Sequence, residues 1–123
     1  MIRITKDNFT KQFIQLFKHL VAGRDAEARM VVDALIKFDP NVSALYVQRG
    51  VLRAQDGRYE EALADYNRAV ELDPEQPFHY LHRARAHLLR KAFDESLADI
   101  MRANELDNGV ADNVILELAS SLA

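Results

Sequence analysis

The sequence predicts an all-α fold: a helical-repeat solenoid of three helix-turn-helix pairs plus a C-terminal helix, within a single domain of residues 1–123. Three observations carry this expectation. The first is self-similarity at 34 residues. Setting 43–76 above 77–110 aligns eleven identities, among them Tyr46 with Tyr80, Arg49 with Arg83, Leu63-Ala64-Asp65 with Leu97-Ala98-Asp99, and Glu71-Leu72-Asp73 with Glu105-Leu106-Asp107. A fixed period of this length is the mark of stacked supersecondary units. The second is a weaker copy one period upstream, in residues 9–42, where Gly23-Arg24 falls on Gly57-Arg58, Glu27-Ala28 on Glu61-Ala62, and Asp39-Pro40 on Asp73-Pro74. The third is that apolar residues within each unit recur at helical spacing and are interrupted at glycine and proline.

Taken in order, residues 1–8 form an extended or frayed leader, and residues 9–42 form the first pair. In the second unit, residues 44–55 are helical, Asp56-Gly57-Arg58 breaks them, and residues 59–72 resume until Asp73-Pro74. Gly57 suits a helix C-terminus because it accepts a left-handed conformation without a side-chain clash. Pro74 cannot extend a helix ladder and drives Asp73 out of the helical region. The third unit places helices at 78–90 and 93–106, ending at Asn108-Gly109 in place of proline. Residues 112–122 leave room for one more helix. It should cover the open edge of the third unit with Val114, Ile115, Leu118 and Leu122 inward. Ser43 reads as a helix cap.

Composition bounds the chemistry. Sixteen Lys and Arg against 19 Asp and Glu give a net charge of −3, with 49% hydrophobic and 28% charged residues, a balance that fits neither a disordered chain nor a membrane protein. With no cysteine, a disulfide framework, a thiolate nucleophile, an iron–sulfur cluster and sulfur-ligated zinc are all excluded. The most apolar N-terminal stretch, residues 13–22, contains Lys18 and His19 and has no cleavage pattern, so neither a signal nor a spanning segment is read there and the cytoplasm is the expected compartment.

The period, the paired helices and the residues Tyr46, Gly50, Ala62, Tyr66, Ala69 and Pro74 resemble the tetratricopeptide repeat. The third unit keeps Tyr80, Ala84 and Ala103. The first departs at Gln12, Gln15 and His19 while agreeing at Ala28, Val32 and Pro40, so its opening helix is expected to be shifted in register or to act as a cap. The small residues at these positions let the helices of a pair approach, and the tyrosines fill the gaps. Arg49 and Arg83 stand where the repeat pattern has leucine, and each is followed sixteen residues later by Asp65 or Asp99, whereas the first unit has Gln15 and Val31. Arginine and aspartate appear and vanish together, which reads as an ion pair across packed helices.

The resemblance implies that the first helix of each pair lines a concave face. Mapped onto this chain, the partner-binding candidates are Phe13, Phe17 and Leu20, then Val47, Val51 and Arg53, then Leu81, Arg85, Leu88 and Leu89, flanked by Val21, Ala54 and Gln55. Most are apolar, and an exposed apolar strip marks an interaction surface. Charge divides between the helix types: the first helices carry seven Lys and Arg against Asp56 alone, the second helices four against eleven acids. An apolar face with basic flanks suits an amphipathic or extended segment with acidic residues from a protein or peptide partner. Some members of the family grip a C-terminal carboxylate with Lys and Asn. Phe13, Phe17, Gln48, Phe78 and His82 stand at the matching places and do not supply that clamp. A short array with an apolar groove looks more like members that hold a client segment, as small secretion chaperones do.

No enzyme is indicated, since there is no phosphate-cradling glycine loop, no Gly-x-Ser-x-Gly elbow and no paired inward carboxylates. No cofactor or metal is implied either: His79 and His82 lie three apart with no third ligand placed. The alternative reading is a self-associating assembly protein, a homo-oligomer formed through Phe13, Phe17, Val47 and Val51 or through Val114 and Leu118. RNA binding by helical repeats is the remote alternative, because aromatic and phosphate-binding residues are not regularly interleaved.

Overall fold

The computed structural model describes residues 2–122, with the side chains of residues 118, 121 and 122 outside the described set. Its elements are α1 (Phe9–Val21), α2 (Asp25–Phe38), α3 (Ser43–Gln55), α4 (Tyr59–Leu72), α5 (Pro77–Leu89), α6 (Phe93–Leu106) and α7 (Asp112–Leu122). Helices α1, α3 and α5 begin 34 residues apart, and so do α2, α4 and α6. The first unit is therefore in register with the others, and its opening helix is not shifted as its sequence suggests. Each pair packs on itself, α2 packs on α3 and α4 on α5, and α3 also meets α5 across the inner face. Among the described residues no helix is long and apolar enough to cross a membrane.

The turns explain the register. Gly23 and Gly57 close the first helix of their pairs in the left-handed region, at φ 72° and 77°. The equivalent residue of the third unit is Lys91, which is held at φ 59°, a conformation that costs a side-chain-bearing residue about 1–2 kcal/mol. Between units, Asp39 and Asp107 leave the helix in extended geometry, and Asp73 leaves it at φ −144° and ψ 81°. The hydroxyl of Tyr46 donates to the Pro40 carbonyl at 2.8 Å, and that of Tyr80 to the Pro74 carbonyl at 2.8 Å. Each tyrosine thus ties the start of a unit to the turn that delivers it.

Within the second pair the close approach falls at Gly50. A Cβ there would stand 2.5 Å from the ring of Tyr66, so the glycine is what lets that ring lie against α3. Ser43 is the first residue of α3, not a side-chain cap, and its hydroxyl lies 3.0 Å from Nε2 of the buried His79 on α5.

The arginine–aspartate pairs form as the co-occurrence predicts and reach further. The Arg49 guanidinium donates to both carboxylate oxygens of Asp65 at 2.8–3.2 Å, and Arg53 adds a bond of 2.9 Å. Arg83 grips Asp99 at 2.7 and 2.9 Å. Each arginine also touches the second helix of the preceding unit, Arg49 at Asp33 (3.5 Å) and Arg83 at Asn67 (3.0 Å). One guanidinium therefore holds three helices. Asp65 and Asp99 are buried, and the aspartates hold Arg49 and Arg83 above their ordinary pKa against the opposing effect of burial.

The core divides along the stack. Leu16, Val32, Leu35, Leu45, Leu52, Ala62 and Tyr66 belong to one cluster spanning the first two units; Tyr80, Leu81, Ala84, Ile100, Ala103, Ala111 and Val114 belong to a second. The leader is not frayed among its described residues. Ile2 and Ile4 pack on the first cluster beside Ala34, Lys37 and Phe38 of α2, away from the inner face, and Thr5 and Asn8 bond each other through side chain and backbone before α1 begins. Helix α7 covers the third unit with Val114, but Ile115, expected inward, is 47% exposed. The side chains of Leu118 and Leu122 lie outside the described residues.

Candidate functional site: an apolar hollow on the inner face

The units curve so that α3 and α5 approach on the inner face, with α4 behind them. Between them opens a hollow of about 380 Å³ lined by Val51, Ala54, Gln55, Tyr66, His82, Arg85, Ala86 and Leu89. Its walls are carbon apart from the Gln55 amide, the edges of Tyr66 and His82, and the Arg85 guanidinium. Tyr66 and His82 are stacked in its floor with ring centroids 5.9 Å apart. Burial, with the neighbouring Asp65 adding to it, pushes the Tyr66 hydroxyl up to about 12. Burial also brings His82 down to about 4, helped by the charge of Arg85 and by His79. At neutral pH both rings are uncharged, so the floor adds no charge to the hollow.

The predicted strip is only partly assembled. Val51, Arg85 and Leu89 meet in this hollow, and Leu88 lies in the adjoining one of about 410 Å³ with Arg85, Leu89, Lys91, Phe93 and Glu117. Val47 and Leu81, expected on the groove, are core residues only 4% and 2% exposed, because at their turn of the helix α3 and α5 face the packed interior. Arg53 is not a free basic flank; it is the second arginine on Asp65. Phe13 and Leu20 are half-buried against the N-terminal core, Phe13 between the rings of Phe9 and Phe17 at 6.1 and 5.4 Å. Phe17 opens instead onto a separate shallow hollow on α1 with Ile14, Lys18, Val21 and Ala22.

Three lining residues are not among the sequence candidates. Tyr66, from a second helix, is the core residue the repeat pattern makes it and also floors the hollow, while His82 and Ala86 belong to α5. Nearest to a signal is the 34-residue shift, which sets His82 on Gln48, a position already matched to the family's carboxylate clamp. His79 and His82 diverge, one toward Ser43 and the other toward Tyr66, and among the described residues no group of three or more His, Asp or Glu stands close enough to hold a metal ion.

A family model described as the tetratricopeptide repeat matches residues 17–105. No curated protein matches the sequence. Among solved structures, the fold is shared with the Yersinia enterocolitica type III secretion chaperone SycD in complex with a peptide of the translocator YopD. That likeness has a TM-score of 0.83 at 22% identity and covers 98% of this chain and 94% of that one. The first TPR of Spaghetti (RPAP3), bound to the HSP90 peptide SRMEEVD, gives 0.82 at 22% identity, covering 99% and 98%. PcrH in complex with the chaperone binding region of PopB gives 0.81 at 21% identity, covering 98% and 99%. With the family model spanning most of its length and the repeat geometry present in all three units, this chain belongs to the tetratricopeptide repeat family.

Proposed function

We propose that this protein is a non-catalytic interaction module that holds an apolar, amphipathic or extended segment of a partner protein, with an acidic flank, in the hollow between α3, α4 and α5. The observation that carries the reading is the hollow itself: a concave, carbon-lined surface on the inner face whose lining holds a single permanent charge, that of Arg85. An apolar side chain moved from water into such a site contributes roughly 1.5–3 kcal/mol, so several anchors together are needed to reach the roughly 8 kcal/mol of micromolar binding after the cost of association. The proteins of like fold whose structures contain partner peptides support the same use here. A fluorescein-labelled amphipathic peptide with glutamate flanks, titrated by anisotropy, tests it. Val51→Glu should weaken binding by about tenfold or more, since the carboxylate is stranded among carbon walls. Equal affinity for a folded Val51→Glu variant would overturn the reading.

A second reading rests on a different surface. Ile14, Phe17 and Val21 are 52%, 40% and 89% exposed on α1, with Lys18 among them. Self-association through that patch would leave the α3–α5 hollow open. Light scattering on Val21→Glu tests it: a dimer that survives the substitution does not use α1.

A further inference from the structure

The inner hollow does not stop at α5. Arg85 and Leu89 belong both to it and to the hollow that continues along the C-terminal edge, whose far wall includes Glu117 of α7. Arg85 stands at the junction. Its Nε donates to a carboxylate oxygen of Glu117 at 3.2 Å, with both side chains near half exposure, 41% and 50%. The same guanidinium is close enough to the floor for its charge to be felt by Tyr66 and His82. Helix α7 is lightly held: among its described side chains only Val114 is buried, while Ile115 and Leu116 are 47% and 65% exposed.

We propose that Glu117 is an intramolecular competitor for the partner. In the free protein α7 lays a carboxylate on Arg85, the cation shared by the two hollows; a bound acidic segment replaces it with a carboxylate of its own, and Glu117 thereby lowers the preference for acidic over neutral segments. This rests on the groove reading above and adds to it a ligand atom and a regulator. The physical argument is a comparison of two ion pairs. Arg83 and Asp99 are 21% and 8% exposed and joined by two short bonds, so separating them would strand a buried charge. Arg85 and Glu117 share one longer bond in solvent-screened surroundings, where such pairs contribute little and exchange at small cost. An incoming carboxylate finds a guanidinium already presented beside apolar walls, where it takes the place of the single 3.2 Å bond from Arg85 Nε. A neutral segment gains nothing from Arg85 and leaves Glu117 in place.

The test uses the full chain and a displayed library of segments of about four helical turns, with the apolar face varied and each polar flank drawn equally from Glu and Gln. On the wild type, Glu should be enriched over Gln. Glu117→Gln should raise that enrichment a further two- to fivefold or so, since the guanidinium is released and a like charge leaves the groove mouth. Arg85→Gln should remove most of it. Equal Glu-to-Gln ratios on wild type, Glu117→Gln and Arg85→Gln would overturn the competitor while leaving the groove as a purely apolar site. A library that enriches no segment on the wild type would overturn the groove reading, and the competitor with it.

Discussion

Asp65 illustrates how much a single residue carries in a short array. Its buried carboxylate accepts from Arg49 and Arg53, and Arg49 extends the same contact to Asp33 of the preceding unit. Removing the carboxylate strands two guanidinium groups at a helix interface. Asp65→Ala should therefore cost about 3–5 kcal/mol in urea unfolding, and the double change Arg49→Met with Asp65→Leu should cost less. The reverse order would show that the pair does not act as one. Lys91 is the opposite case, a residue its site tolerates poorly. Gly23 and Gly57 take the left-handed turn freely at their places, so Lys91→Gly should raise stability by up to about 1 kcal/mol; a loss would mean that the side chain contributes more than its backbone costs. His82 ties stability to pH. Its ordinary value of 6.5 falls to about 4 through burial, with Arg85 and His79 adding to the effect. Between those values the unfolded chain takes up a proton that the folded chain refuses, so this contribution is complete above pH 6.5 and is lost on acidification toward pH 4. Moving from about pH 7 to about pH 5 should cost the wild type roughly 2 kcal/mol more than it costs His82→Gln. Equal acid sensitivity of the two would contradict the burial of that ring.

At the scale of elements, what the sequence made legible was whatever repeats. The 34-residue identities located α3 to α6 to within a residue or two, and the Arg–Asp co-occurrence named ion pairs that form. The first unit shows the limit. Gln12, Gln15 and His19 break the motif, yet α1 sits in register, because Gly23, Pro40 and the apolar spacing that buries Leu16 are kept and those three departures are tolerated. Helix α7 has no counterpart one period away to check it against, and its inward face was read from amphipathic spacing alone; Val114 follows that pattern and Ile115 does not. A chain ending at residue 110 loses Ala111 and Val114 from the second core cluster. The burial of Val114 alone corresponds to about 1.5–2 kcal/mol, so the melting temperature should fall by roughly 10 °C. An unchanged melt would remove α7 from the list of stabilising elements.

For the whole molecule, the divided charge of the sequence takes on a different meaning once the helices are packed. The basic excess of the first helices looked like a flank offered to a partner. In the structure Arg49, Arg53 and Arg83 are bound to carboxylates of the second helices, Arg90 reaches Glu60, and Arg85 reaches Glu117. The asymmetry is largely the imprint of stitching between neighbours, which is how a stack whose units touch only adjacent ones holds together. What remains for a partner is smaller and more apolar than the sequence implied, for a geometric reason. Groove positions taken one helix at a time ignore where α3 and α5 turn into each other, so Val47 and Leu81 disappear into the core while Tyr66, from the helix behind, comes through to the surface of the hollow. The central claim is that this hollow receives the partner segment. Its most direct test is the footprint of a bound amphipathic, glutamate-flanked peptide in amide and methyl chemical shifts of the full chain. The account predicts perturbations at Val51, Ala54, Tyr66, His82, Ala86 and Leu89, with little change at Met30 and Met101 on the second helices. A footprint centred on those second helices, or confined to Ile14, Phe17 and Val21 of α1, would contradict it.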